Sequence, residues 1–577
     1  MRKRNSKFTF GSRPLLYHSR SQFDLSFHHK TTMNAADLVP IYCQEISPGD
    51  TFKCDMTAVV RTTSAMLKPV MDNMFMDVYF FWCPNRLSYD RWKEVMGENK
   101  KNAWAQSDDV LVPTRRLNLN ENSDYRGTLA DYFGLPVTSG SGSIPLNVSD
   151  LPIRDYALIY DEWFRDENNI DPMNINIGDV PDGTVAMFNT EAWSPQNYAG
   201  RPAKIAKVHD YFTSCLPSPQ KGNPVSIGTA ILPPTSAPVV TTSVFHGGNS
   251  GGLALVGGND EALPSSVQGK PLFTQYFVSP GTFARATSSD KYTYDTSVES
   301  FSVAPANLWA NIPETSLGAV SVNELRYAFQ LQKLLEKDAR GGTRYAEILK
   351  EHYGVTTPDS VLQRPEYLGG KRIPLNVYQT VQTSKTDGNN PLGDLGAFSL
   401  SSGRAGYTKG FTEHGFVIGL AAIRQFHTYN QGLERFWRRK KRTDFYDPVF
   451  ANIGEQPVFK EELFVSADNS IPNSDGSLPV FGYNEAWADY RYRPSHCTGH
   501  MRPTGGTDIG DIWTFADEYS TSPVLGKEFI EETSAFIDRT LAVPQSTAPQ
   551  FMVDIYFKNI AIRELPTYSI PGLIDHH

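Results

Sequence analysis

Along residues 51–61, TFKCDMTAVVR, apolar and polar side chains alternate, placing Phe52, Cys54, Met56 and Ala58 on one face of a strand. The stretch PVMDNMFMDVYFFWCPNRL (69–87) is denser. Its Phe75, Val78, Phe80 and Phe81 suit a strand buried between two layers. Turn signals bound both runs, SPGD at 47–50 and CPN at 83–85. Strand patterns return in GFVIGLAAI (415–423) and FMVDIYFKNIAIREL (551–565). Strands near both ends, with long irregular excursions between them, predict a double-sheet fold closed by its terminal strands.

Three segments carry the helical period instead. In LPIRDYALIYDEWFRDEN (151–168), Ile153, Tyr156, Tyr160 and Trp163 recur at helical spacing. A second helix is announced by SVNE (321–324), a capping box in which Ser321 and Glu324 satisfy each other's backbone amides. Val320 and Leu325 stand at the positions of a hydrophobic staple. Leu325, Ala328, Phe329 and Leu335 form the apolar stripe, and Gly341-Gly342 ends it. A third helix is expected from Thr343 through Tyr345, Ile348 and Leu349 to about Gly354.

Residues 221–300 differ in kind. Of these 80 residues, 37 are Gly, Pro, Ser or Thr and only nine are charged. That composition admits a linker, but SVFHG, PLFTQYFV and SFSV supply aromatic and β-branched residues that favour an exposed, mostly β insertion. The expected organisation is a basic arm (1–22), a first part of the sandwich with helical excursions (23–220), the insertion (221–300) and the remainder of the sandwich (301–577). This last part carries a helical insertion near 321–354.

The net charge of −9 excludes a general polyanion binder, so any nucleic-acid contact must come from local patches. Two are legible. Arg2, Lys3, Arg4, Lys7, Arg13 and Arg20 all precede the first acidic residue, Asp24, and read as an arm that a partner would order. In ERFWRRKKRTDFYDP (434–448), Arg435, Arg438, Arg439, Lys440, Lys441 and Arg442 surround Phe436 and Trp437. Cations for phosphates and ring faces for bases are what a single-stranded nucleic acid requires. The bland reading is a solvated loop, or cations pairing with a neighbouring subunit's acids. Either patch would position DNA without reading its sequence.

Five scattered cysteines, without a C-x-x-C pair, argue against a disulfide framework or a zinc site. FVIGLAAI (416–423) is far too short for a membrane span, and the basic start lacks an apolar core to make a secretory signal. A soluble protein made and used inside a cell is expected. Catalytic signals are weak. GGNSGG (247–252) reads as a hairpin tip, since Ser250 has no recognisable His and Asp context. His28 and His29 are adjacent and point to opposite faces of a strand, and His496, Cys497 and His500 lack a second ligand cluster. The Glu461-Glu462 and Glu531-Glu532 pairs read as solvated surface. No nucleotide or metalloprotease motif is present, so no enzyme, cofactor or metal site is expected.

Several stretches together resemble the major capsid proteins of the Microviridae, in particular the gokushovirus branch. They are FDLSFHHKTTMNAADLVPIYCQEISPGD (23–50), FWCPNRLSYDRW (81–92), DYALIYDEWFRDEN (155–168), ELRYAFQLQKLLEKDARGGTRYAEILKEHYGV (324–355), RPEYLGGKRIPLNVYQTVQTS (364–384) and GLERFWRRKKRTDFYDPVFANIGEQPV (432–458). Order and spacing match along most of the chain.

The resemblance implies a viral jelly-roll, eight antiparallel strands in two sheets, that tiles a T=1 virion shell of sixty identical chains around circular single-stranded DNA. It also implies an insertion rising at the three-fold axes, for which 221–300 is the candidate. The partners it implies are small basic DNA-binding proteins, internal scaffolding proteins and a host receptor, with assembly in the bacterial cytoplasm and no membrane insertion. Obligate contacts of roughly 2,000–5,000 Å² each would explain the length of the excursions. Two other readings stay open from the residues alone: a lectin-like β-sandwich binding cell-surface glycans, and a hydrolase on a β scaffold.

Overall fold

The computed structural model describes residues 20–98, 110–121, 124–140, 142–179, 186–225, 322–383, 392–474, 476–506 and 509–568, with short strands between 239 and 310. The chain divides into two compact units, residues 1–223 with 333–577, and residues 224–332.

The first unit opens with β1 (Ser21–Asp24), β2 (Phe27–Met33), β3 (Val39–Ile46), β4 (Thr51–Thr62) and β5 (Met74–Pro84). A two-stranded ribbon, β6 (Thr114–Leu119) and β7 (Ile144–Ser149), leads into helix α1 (Leu151–Ile159). After α2 (Val322–Arg340) and α3 (Tyr345–Tyr353) come β8 (Glu366–Leu375), β9 (Val377–Val381), β10 (Leu395–Gly410) and β11 (Gly415–Gln425). The ribbon of β12 (Glu455–Phe459) and β13 (Val480–Glu485) precedes the closing strand β14 (Phe551–Arg563).

Two antiparallel sheets form the body. In one, β14 carries β1 and β2 on one side and β4 on the other, followed by β10 and β9. In the other the order is β8, β5, β11, β3. The alternation read at 51–61 is matched in the structure by that of its partner strand β14. Phe557 sits opposite Met56 and Ile555 opposite Ala58, so both strands turn the same parity inward. Phe52, Met56, Val60, Phe551, Ile555 and Phe557 meet Met76, Val78, Phe80, Trp82, Val417 and Ile423 of the second sheet in one core. The chain is therefore mainly β, with antiparallel sheets packed face to face.

A second core lies on the far side of the four-stranded sheet. Phe81, Ile418 and Leu420 point away from the first core and meet Ile153, Tyr156 and Tyr160 of α1 and its continuing turn, with Leu117 and Trp193. The Tyr156 hydroxyl donates to the Leu38 carbonyl (2.7 Å) and accepts from the Ala203 amide (3.1 Å). At the head of α1 lies a buried ion triad. Asp150 receives Arg115 Nε at 2.6 Å and Arg154 Nε at 2.9 Å, and all three side chains are enclosed. Next to it, Asp155 is fully buried and faces Cys83 and Ser88 without a well-formed hydrogen bond. Burial pushes its carboxyl up to about 7.

The helices fall where the period places them, with α3 ending on Gly354 in the left-handed region (φ +68°). The stripe of α2 departs from expectation. Leu325, Ala328 and Leu335 are half-buried, Phe329 is exposed, and Ala339 is the buried member of the helix. An amphipathic period records that a face is to be covered, and that cover need not come from the same chain. Ser321 and Val320, the cap and staple, lie outside the described residues. Within the second unit, Val239–Thr241 pairs with Leu308–Ala310, Leu255–Gly257 with Val303–Pro305, and Phe277–Ser279, Thr282–Thr287 and Lys291–Tyr294 form a small sheet. The rest of 221–300, GGNSGG included, lies outside the described residues beyond position 225.

Candidate nucleic-acid interface

The basic segment is a loop between β11 and β12, folded into short turns at Arg435–Arg438, Arg442–Asp444 and Pro448–Phe450. Its six cations divide into two sets. Arg435 donates to the Pro457 carbonyl (2.9 Å) and stacks over Phe459. Arg438 pairs with Glu461 (2.5 Å) and also reaches the Ser470 carbonyl (3.1 Å). Arg439 pairs with Asp489 and lies over the Tyr490 ring. These three arginines fasten the loop to the chain beneath it. Lys440, Lys441 and Arg442 are exposed, and their side chains are in no ion pair among the described residues. The backbone amides of Lys440 and Lys441 donate to the Asp444 carboxylate (2.9 and 2.8 Å), which holds the turn on which both exposed residues sit.

Rings surround the free cations. Phe436 and Trp437 lie with centroids 4.8 Å apart and are 45% and 69% exposed. Phe445, Tyr446 and Val449 are exposed as well, and Tyr446 packs edge-on against Trp487. So concentrated an apolar surface beside unpaired charge marks a site of association. It offers ring faces and cations together, the requirements of a single-stranded polynucleotide. Of the arm, Arg2, Lys3, Arg4, Lys7 and Arg13 lie outside the described residues. Arg20, where the described chain begins, pairs with Glu564 just past β14 (3.2 Å).

The relationships of the whole chain decide which kind of protein carries this loop. Residues 16–573 match the family described as capsid protein (F protein). Capsid protein VP1 of Bdellovibrio phage phiMH2K is 35% identical, over 99% of this chain and 98% of that one. Capsid protein VP1 of Chlamydia phage 1 is 34% identical over 98% of both, and that of Spiroplasma virus 4 is 36% identical over 94% of both. The chain belongs to the capsid protein (F protein) family. Its relatives are gokushoviruses, the branch that the sequence stretches resemble. It is a structural major capsid protein, not an enzyme, and its place is the virion.

As a capsid protein it still contains one constellation that looks catalytic and was not legible in the sequence. His427 is buried at the end of β11, with Nδ1 2.9 Å from both Asp517 carboxylate oxygens and Nε2 3.1 Å from Glu532. Burial by itself pushes the imidazole pKa down. The Asp517 and Glu532 carboxylates outweigh that and raise it to about 9. Burial would likewise raise Asp517, but His427 and Lys207, whose Nζ is 3.7 Å away, hold it down at about 2. Both ring nitrogens are committed to carboxylates, so the imidazolium has no lone pair to act as a base. The cluster is a charge-balanced strut joining β11 to the 511–532 segment. Its partners are some 90 and 105 residues away, a separation no local motif spans.

The same geometry corrects the reading of two acidic pairs as solvated surface. Glu461 and Glu462 are 1% and 7% exposed, because they anchor Arg438 and accept the Tyr211 hydroxyl (2.9 Å). Glu532 is enclosed by its bond to His427. His28 and His29 do fall on opposite faces of β2, opposite Tyr556 and Ile555 respectively. No group of three or more His, Cys, Asp or Glu side chains among the described residues is placed to hold a metal ion, and no helix among them is long and apolar enough to cross a membrane.

Proposed function

We propose that this capsid protein closes a T=1 shell of sixty copies around circular single-stranded DNA, on a jelly-roll sandwich. The nested pairing of strands supports the jelly-roll. Among the eight strands β2, β3, β4, β5, β8, β10, β11 and β14, the first pairs with the last, the second with the seventh, the third with the sixth and the fourth with the fifth. A long hairpin rolled into two sheets has that pattern. The family resemblance and the change of composition support the insertion at 221–300 as the three-fold protrusion, and its low charge supports a part in host attachment. Small basic DNA-binding proteins, internal scaffolding proteins and a host receptor complete the partner set, with assembly in the bacterial cytoplasm.

One observation carries the genome contact: Lys440, Lys441 and Arg442 are exposed beside Phe436 and Trp437, with no ion-pair partner among the described residues. The test is electron microscopy of the purified protein with its helper proteins, combined with the triple variant Lys440→Ala, Lys441→Ala, Arg442→Ala. Closed particles are expected for both proteins, with less DNA per particle in the variant. The salt dependence of DNA binding is expected to fall by about 2 in log–log slope, for three phosphates released. A soluble low-order oligomer with sugar affinity would favour the lectin reading instead. Unchanged DNA content would assign these cations to another contact.

A further inference from the structure

The outer face of the six-stranded sheet is open, and strand register specifies what it displays. The straight row across four strands is Arg404, Thr57, Tyr556, His28. Neighbouring rows add Lys30 opposite Asp554, Lys558 opposite Asp55, and Arg61 between Leu400 and Met552. Lys53 lies opposite Ile560. Strands about 4.8 Å apart make each four-strand row about 15 Å wide.

Three features distinguish this face from ordinary solvated sheet. First, Lys30, Lys53, Arg61, Arg404 and Lys558 are all exposed, and none is in an ion pair among the described residues. Against these five stand the carboxylates Asp24, Asp55 and Asp554 on the strands and Asp131 beside them, so the face keeps a slight positive excess on a chain whose net charge is −9. Second, it carries exposed rings in pairs. His28 and Tyr556 lie 4.7 Å apart, and Tyr378 and Phe398 lie stacked at 5.7 Å on the β9–β10 edge. Third, one end is concave. A cavity of about 600 Å³ is floored by Val59, Arg61 and Met552 and walled by Lys30, Asp131 and Tyr132.

We propose that this sheet face is a binding platform for single-stranded DNA, distinct from the 434–448 loop. It rests on the reading that the shell encloses such a genome. Charge complementarity selects a polyanion, and paired exposed rings select unpaired bases over duplex. A second copy of this chain, though acidic overall, supplies neither a row of phosphates for the cations nor unpaired bases for the rings. Binding there is sequence-tolerant, because the face presents ring surfaces and point charges instead of a fixed donor–acceptor pattern.

The test needs no variant at first. Purified particles are irradiated with ultraviolet light, digested, and the DNA-linked peptides are identified by mass spectrometry. Crosslinks are expected in the peptides containing Tyr556 and Tyr378–Arg404, and not in those from β5 or β11. DNA-filled particles with crosslinks only elsewhere, as at 434–448, overturn the platform while leaving the genome reading intact. Particles without any DNA overturn both. In the full-length subunit, Lys53→Gln, Arg404→Gln, Lys558→Gln should reduce the log affinity–log salt slope for a 20-nucleotide oligothymidylate by about 2. Tyr556→Leu should weaken its binding about five-fold or more. An unchanged slope and affinity, or protein-only crosslinks on this face, reject the proposal.

Discussion

The two sheets of the sandwich share a core but meet the outside differently. In the four-stranded sheet nearly every residue of β5 and β11 is buried. Its outer face is covered by α1 and by the excursions carrying Leu117, Leu129 and Trp193. Even Asp77, the carboxylate inside β5, is clamped by Arg372 (2.8 Å) and by Arg424. In the six-stranded sheet β4 and β14 alternate between buried positions and half-buried or exposed ones, and no packed layer covers the outer side chains among the described residues. One sheet has therefore spent its outer face on intramolecular packing, and the other leaves its outer face largely exposed. The difference teaches that burial on one side fixes the fold, while the second side is where a shell protein varies its use.

If the cover is as integral as this comparison requires, the largest loss comes from its buried triad. Asp150→Ala leaves the Arg115 and Arg154 guanidinium groups enclosed without a counter-charge. It is expected to destabilise the unassembled subunit by about 5 kcal/mol in denaturant titration. A loss under 1 kcal/mol would show that the cover opens to water. Next in size is a direct contrast of outer faces. Phe81→Ala on β5 should cost about 3–4 kcal/mol through the cavity it leaves, whereas Tyr556→Ala on β14 should cost less than about 1 kcal/mol. Equal losses would erase the distinction between the sheets.

The smallest effect depends on pH. Asp155 keeps its proton in the folded chain up to about pH 7, but releases it near pH 4 when unfolded. Stability is therefore fully present below about pH 4 and declines as pH rises towards 7. Asp155→Asn removes that decline. Its thermal midpoint should match the parent protein at pH 4 and exceed it at pH 8. A parent protein with no such decline would place water beside Asp155.

The division between the sheets was partly legible in advance. The dense apolar run at 69–87 announced burial between two layers and the alternation at 51–61 announced one apolar face, whereas 415–423 and 551–565 were legible only as strands. The basic loop was legible as a cluster, but its inner partition was not. Arg435, Arg438 and Arg439 look like Lys440, Lys441 and Arg442 until Glu461, Glu462 and Asp489 are brought beneath them. The acidic pairs were misread for the same reason, since a carboxylate's solvation depends on what folds against it.

What the sequence determined by itself was local: which segments extend, which coil, which parity of each strand is apolar, and the family. Period and propensity act over a few residues and need no partner. What only the tertiary structure decided was pairing over distance: His427 with Glu532, Arg115 with Asp150 and Arg154, and the row from Arg404 to His28 across four strands. Coulombic and hydrogen-bond energies depend on separation in space and on burial, and neither is encoded in spacing along the chain.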